Sequence, residues 1–168
     1  GTDSGKAYSS YHVEGDDNTL FGYKSGDDLE DSDKNTFIGS YTGEKLIEAE
    51  ENTALGYQAF KTATAGNGNT ILGSTAGGSL TTPHNNTFVG RSAGSNTTTG
   101  AANVVVGTWS KAGTTGDYNC VLGYASGAAL TTGDRNIVIG IGCVSEGTST
   151  GYNNIVMGDY AGKTIDGG

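Results

Sequence analysis

The pentapeptide NTLFG that begins at Asn18 returns eight more times along this chain, at a nearly constant interval. It reads NTFIG from Asn35, NTALG from Asn52, NTILG from Asn69 and NTFVG from Asn86. It continues as NVVVG from Asn103, NCVLG from Asn119, NIVIG from Asn136 and NIVMG from Asn154. The steps between the Asn residues are 17, 17, 17, 17, 17, 16, 17 and 18. A fixed period of this size marks a repeat architecture, in which each unit buries its apolar side against its neighbours in the sequence.

Other positions keep the same register. Seven residues after each Asn stands a small side chain: Ser25, Thr42, Ala59, Ala76, Ala93, Ser110, Ser126, Cys143 or Ala161. Gly follows in most copies, and an aliphatic comes eleven residues after the Asn at Leu29, Leu46, Leu80, Leu130 and Ile165. Later copies add a turn such as Thr98-Thr99-Gly100 or Thr131-Thr132-Gly133. Seventeen residues cannot hold two helices, and Gly, Asn and Thr are poor helix formers. The chain has 30 Gly among 168 residues, one Pro and no Gly-X-Y period, so its glycines serve turns rather than a collagen helix.

The five-residue core reads as a short strand, because aliphatic and β-branched residues fill it. Successive strand residues point to opposite faces. Yet the second and third residues after the Asn are almost all apolar: Leu20 with Phe21, Phe37 with Ile38, Ile71 with Leu72, Phe88 with Val89 and Val105 with Val106. Val121 with Leu122, Val138 with Ile139 and Val156 with Met157 follow suit, and Leu55 stands alone beside Ala54. Both faces of the strand are therefore expected to be dry, one inside the coil and the other against a second copy of the chain. Stacked Asn residues are expected to form an amide ladder, and the Gly after the apolar pair to take a positive φ. The fold expected is all-β: a β-solenoid rod of nine repeats over 18–168, assembled as a parallel homotrimer, behind an irregular capping segment at 1–17.

The run Asn52 to Ala59, NTALGYQA, resembles the repeats of bacteriophage tail-fibre and tailspike proteins. More loosely, the nine copies are similar to the head repeats of trimeric autotransporter adhesins. The resemblance implies a parallel β-structure that trimerises, a place in the virion outside the cell, and attachment to a bacterial surface polysaccharide or lipopolysaccharide. The chain begins with Gly1 and shows no leader, and it reads as a piece of something longer.

Charge narrows the partners. The net charge of −9 argues against nucleic acid, which needs a basic footprint, and against acidic membrane surfaces. No apolar run approaches the ~20 residues that span a bilayer, so no membrane insertion is expected. Thirteen of the 18 acids precede residue 52. The acidic stretch Gly26 to Asp33 offers calcium-type oxygens but lacks the spacing of the known calcium loops, and a solvated acidic edge explains it.

Catalysis finds little footing. His12 and His84 have no repeated nucleophile or acid around them, so no enzyme activity, metal or cofactor is expected. Cys120 and Cys143 fall at different repeat positions, which argues against a disulfide, and each replaces a small residue. The aromatics are the better lead. Tyr23, Tyr57 and Tyr124 share one repeat position and Tyr41, Trp109 and Tyr160 the next, a candidate strip for stacking on a glycan, or else rings packed over the coil corner or between chains. Behind the tail-fibre and adhesin readings stand two others. An ice-binding solenoid is argued against by Thr pairs confined to turns and missing from the first copies. A polysaccharide depolymerase is argued against by uniformly short connections.

Overall fold

The computed structural model describes residues 15–163. Most of the expected N-terminal segment, His12 and Ile165 lie outside the described residues. The described chain is a parallel β-solenoid with no helix. Eleven strands of three residues follow one another: β1 Thr19–Phe21, β2 Thr36–Ile38, β3 Glu48–Glu50, β4 Thr53–Leu55, β5 Ala65–Asn67, β6 Thr70–Leu72, β7 Thr87–Val89, β8 Val104–Val106, β9 Cys120–Leu122, β10 Ile137–Ile139 and β11 Ile155–Met157.

Nine of them, one per repeat, form a single parallel sheet in the order β1-β2-β4-β6-β7-β8-β9-β10-β11. Register is strict: Leu20 pairs Phe37, Phe37 pairs Ala54, Ala54 pairs Ile71, and so on to Val138 beside Val156. Eight coils thus separate the first and last strands, a rod of roughly 40 Å at ~4.8 Å per strand. A second sheet pairs β3 with β5, each two residues ahead of a strand of the first sheet, and a single bridge from Asn67 to His84 continues it.

The rows of the sequence now take sides. The second residue after each Asn points into the coil: Phe37, Ala54, Ile71, Phe88, Val105, Val121 and Val138 are fully buried. Leu29, Leu46, Leu80 and Leu130 meet them from the other wall, and Ala59, Ala76 and Ala93 fill the corner. The third coil departs from the pattern with small Ala54 and Ala63. Phe60, fully buried where most copies have Gly, restores the missing volume. Conserved total volume is what a close-packed core requires.

Asn closes each coil. Asn52 Nδ2 donates to Gly66 O at 2.7 Å within its own coil and to Asn35 Oδ1 at 3.0 Å in the coil before. Its own Oδ1 accepts both the backbone N–H and the Nδ2 of Asn69. The amide–amide ladder runs from Asn18 to Asn154 with Nδ2–Oδ1 distances of 2.9 to 3.3 Å, as expected. One link is altered. After the 16-residue step, Asn119 keeps its N–H on Asn103 Oδ1, while its Nδ2 turns to the Ala112 and Gly133 carbonyls.

Gly after the apolar pair is fixed by crowding. A Cβ at Gly73 would stand 2.3 Å from the Gly90 carbonyl oxygen, and its φ is +138°. The small residue that follows does more than fit: Thr42, Ser110, Ser126 and Cys143 each donate to the carbonyl of that Gly in the next coil. Both cysteines are free, and Cys143 serves in the core as a serine would.

Candidate functional site

The outward side of the nine-stranded sheet carries two rows. The third residue after each Asn forms one: Phe21, Ile38, Leu55, Leu72, Val89, Val106, Leu122, Ile139 and Met157. All nine are apolar, and none is fully buried in the single chain; Phe21 is 62%, Leu55 48% and Met157 63% exposed. Parallel sheets are ordinarily covered on both faces. Here one face has no cover among the described residues.

The first residue after each Asn makes the second outward row, and it changes character halfway. Thr19, Thr36, Thr53, Thr70 and Thr87 occupy the first five coils, then Val104, Cys120, Ile137 and Ile155 the last four. The sheet is therefore mixed at its N-terminal half and wholly apolar at its C-terminal half. These five threonines are distinct from the turn threonines, whose backbone N–H groups and carbonyls link coil to coil elsewhere, as from Thr98 N to Thr114 O.

A corner with bends in every coil flanks the sheet, and the candidate aromatics stand on it. They fall into two groups and one outlier. Tyr41 lies edge-on between Tyr23 and Tyr57, with ring centroids 5.3 and 6.2 Å away. Trp109 and Tyr124 meet at 5.8 Å. Tyr160 sits apart over Gly142, where a Cβ would strike its ring. Tyr41, Trp109 and Tyr160 have φ between 49° and 60°, but so do Lys24, Gln58, Thr75 and Ser92 at the same repeat position. That backbone strain belongs to the corner of every coil, not to a special site.

Cations accompany both groups. Lys61 Nζ lies 5.0 Å from the Tyr41 centroid, and Arg91 Cζ lies 4.7 Å from that of Trp109. Lys61 is also 3.5 Å from Glu44, and Lys24 is 3.1 Å from Asp27. The Asp27 carboxylate, through its hydrogen bond and its charge, raises the Lys24 ammonium pKa above its ordinary value, with Glu44 and Tyr23 adding to it against some desolvation. Arg91 has no carboxylate partner among the described residues. The flank before the strand carries a further pair, outside the repeat positions expected to bear the aromatics, Arg135 at 5.6 Å over Tyr118. Tabulating the residue before each Asn would have found Tyr118.

The acidic positions are structural more often than they look. Two residues before the Asn, Asp33, Asp117 and Asp134 each accept a backbone N–H from the preceding coil, at 2.7 to 2.9 Å. Asn67 does the same for Glu50, and His84 Nδ1 for Asn67 at 3.3 Å. On the calcium-like stretch, Asp27 pairs with Lys24 and Asp28 with Lys45. No group of three or more His, Cys, Asp or Glu among the described residues is placed to hold a metal ion. A groove of about 300 Å³ over β3 and β5 gathers Asp31, Glu48, Glu50 and His84.

No protein-family model, curated protein or solved structure matches the chain. An apolar strip along one side of a rod suits lengthwise packing against a like strip. Exposed rings with cations on its flank suit saccharide faces, which offer C–H groups for stacking and oxygens for hydrogen bonding.

Proposed function

We propose that this chain is a structural and receptor-binding segment of a bacteriophage tail fibre, a homotrimeric rod that attaches to a bacterial surface glycan. The observation that carries the reading is the uninterrupted outward row from Phe21 to Met157, nine apolar side chains at one per coil. A monomer that kept this row wet would forgo roughly 25 cal/mol for each Å² of apolar area left in water. In projection the strip measures on the order of 40 Å by 10 Å, short of the ~800 Å² per partner of a stable pair. The corner residues beside it, Tyr23, Tyr57, Trp109 and Tyr124 among them, would have to share the contact or border it. In this reading three parallel copies close about the strip, and the corner rings left at the outer rim meet the glycan. The role is spacing and adhesion, without catalysis.

The experiment is the mass in solution. Light scattering of the full chain should return three protomers. Ile139→Asp, which places a carboxylate on the outward row, should return one folded protomer. Val138→Asp, one residue away but inside the coil, should instead disrupt folding. A folded monomer before any substitution, or an Ile139→Asp protein of unchanged mass, would overturn the assembly. Loss of adsorption to bacterial polysaccharide on replacing the corner rings tests the binding role separately.

A further inference from the structure

We propose that Arg91, Trp109 and Tyr124 form a binding site for a carboxylate-bearing sugar. The inference rests on the glycan reading above and assigns it a place and a ligand class. Three coils in succession supply the parts. Arg91 comes from the coil that begins at Asn86, Trp109 from that of Asn103 and Tyr124 from that of Asn119. Trp109 is 44% and Tyr124 49% exposed, with centroids 5.8 Å apart and planes inclined at 53°, so together they offer an angled platform of two ring faces to a pyranose ring. The Arg91 guanidinium carbon lies over the Trp109 ring, 4.7 Å from its centroid, so the cation is held at the edge of the aromatic pair.

The chain contains its own contrast. At the Tyr23, Tyr41 and Tyr57 group, Lys61 and Lys24 are held by Glu44 and Asp27, two carboxylates that are themselves nearly buried. Positive charge there is already matched, and that group suits a neutral sugar face. Arg91 has no such partner among the described residues, in a protein of net charge −9. An unmatched guanidinium beside an exposed ring recognises a planar anion, and a carboxylate on a sugar ring satisfies fork and platform at once. A uronate residue is the simplest such ligand.

Trp109 is the only tryptophan, so its fluorescence reports on this site alone. The full chain is titrated with a galacturonic acid oligomer, with its methyl ester, and with acetate at equal carboxylate concentration. The acid oligomer should change Trp109 emission saturably, and the ester and acetate should bind at least about tenfold more weakly. Arg91→Gln, at an exposed position, should keep the circular dichroism spectrum and lose the preference for acid over ester. Tyr57→Ala should leave the titration unchanged. Equal affinity for acid and ester, an Arg91→Gln protein that keeps the preference, or no saturable change at Trp109 would each overturn the assignment. Bacterial polysaccharide binding that survives Arg91→Gln but is lost on replacing Tyr23, Tyr41 and Tyr57 would sink this site and leave glycan attachment standing. No adsorption of the unaltered chain to any bacterial polysaccharide, together with no response to the acid oligomer, would sink both.

Discussion

The carboxamide oxygen of Asn52 accepts two hydrogen bonds from Asn69, one from its backbone N–H and one from its Nδ2, both at 2.9 Å. Asn69 in turn receives the same pair from Asn86, and its Nδ2 also reaches the Pro83 carbonyl. Every polar atom of this fully buried side chain is used. Removing it leaves the Asn86 N–H and the Pro83 carbonyl without this partner and takes one of two bonds from Asn52 Oδ1.

Asn69→Ala should therefore destabilise the rod by about 3 to 5 kcal/mol, since each buried group left unpaired costs roughly 1–3 kcal/mol. The loss should be local, because a solenoid couples mainly to nearest neighbours. Urea unfolding gives the size. Hydrogen exchange gives the place, with protection falling first around Thr53–Leu55 and Thr87–Val89. Uniform loss along the whole rod would contradict the coil-by-coil account.

Gly73→Ala probes crowding instead of bonding. Its Cβ would lie 2.3 Å from the Gly90 carbonyl oxygen, in a backbone region that only glycine adopts freely. The expected loss is about 2 to 4 kcal/mol from strain and displacement together. Gly78→Ala is the comparison, since its φ is not in that region and its nearest contact is 3.1 Å. It should cost distinctly less in the same denaturation assay.

Thr97 offers a gain. It stands eleven residues after Asn86, where Leu46, Leu80 and Leu130 fill other coils, and its hydroxyl is buried without a hydrogen-bond partner. Thr97→Val keeps the shape and removes the unmatched oxygen. It should stabilise by about 1 kcal/mol, read as a raised denaturation midpoint with an unchanged slope. No gain, or a loss, would mean that the hydroxyl has a partner in solution.

Cys120 is a reporter placed on the outward face, whereas Cys143 is buried in the coil. If copies pack on that face, a maleimide should modify neither thiol quickly in the native protein. Ile139→Asp should free Cys120 for labelling while Cys143 stays protected. Fast labelling of Cys120 before any substitution would place the face in water.

Much of this was legible in the period. Nine copies in register gave the coil, the stacked strands, the Asn ladder and the positive φ of the Gly. Which apolar row lay inside was not apparent, because Phe37 and Ile38, or Val138 and Ile139, are equally apolar. The clue was the Asn itself: a ladder of buried amides fixes position zero inward, and alternation then turns the second residue inward and the third outward. Asp33 read as part of a solvated acidic edge because its partner is a backbone N–H a coil away, and Asp117 and Asp134, at the same repeat position, carry no sign along the chain of the same role. The pairing of Arg91 with Trp109 is likewise invisible along the chain. It exists only once the corner residues of adjacent coils lie side by side.

The one-residue irregularities show how tolerant the design is. The 16-residue and 18-residue steps leave the front strands in register, Val104 beside Cys120 and Ile137 beside Ile155, so the change in length is absorbed elsewhere in the coil. Duplicating or deleting a whole copy would thus alter the rod by ~4.8 Å while leaving both sides of the sheet continuous. Reach becomes a matter of copy number, and a lineage carrying such a gene holds an adjustable ruler whose graduations are its asparagines.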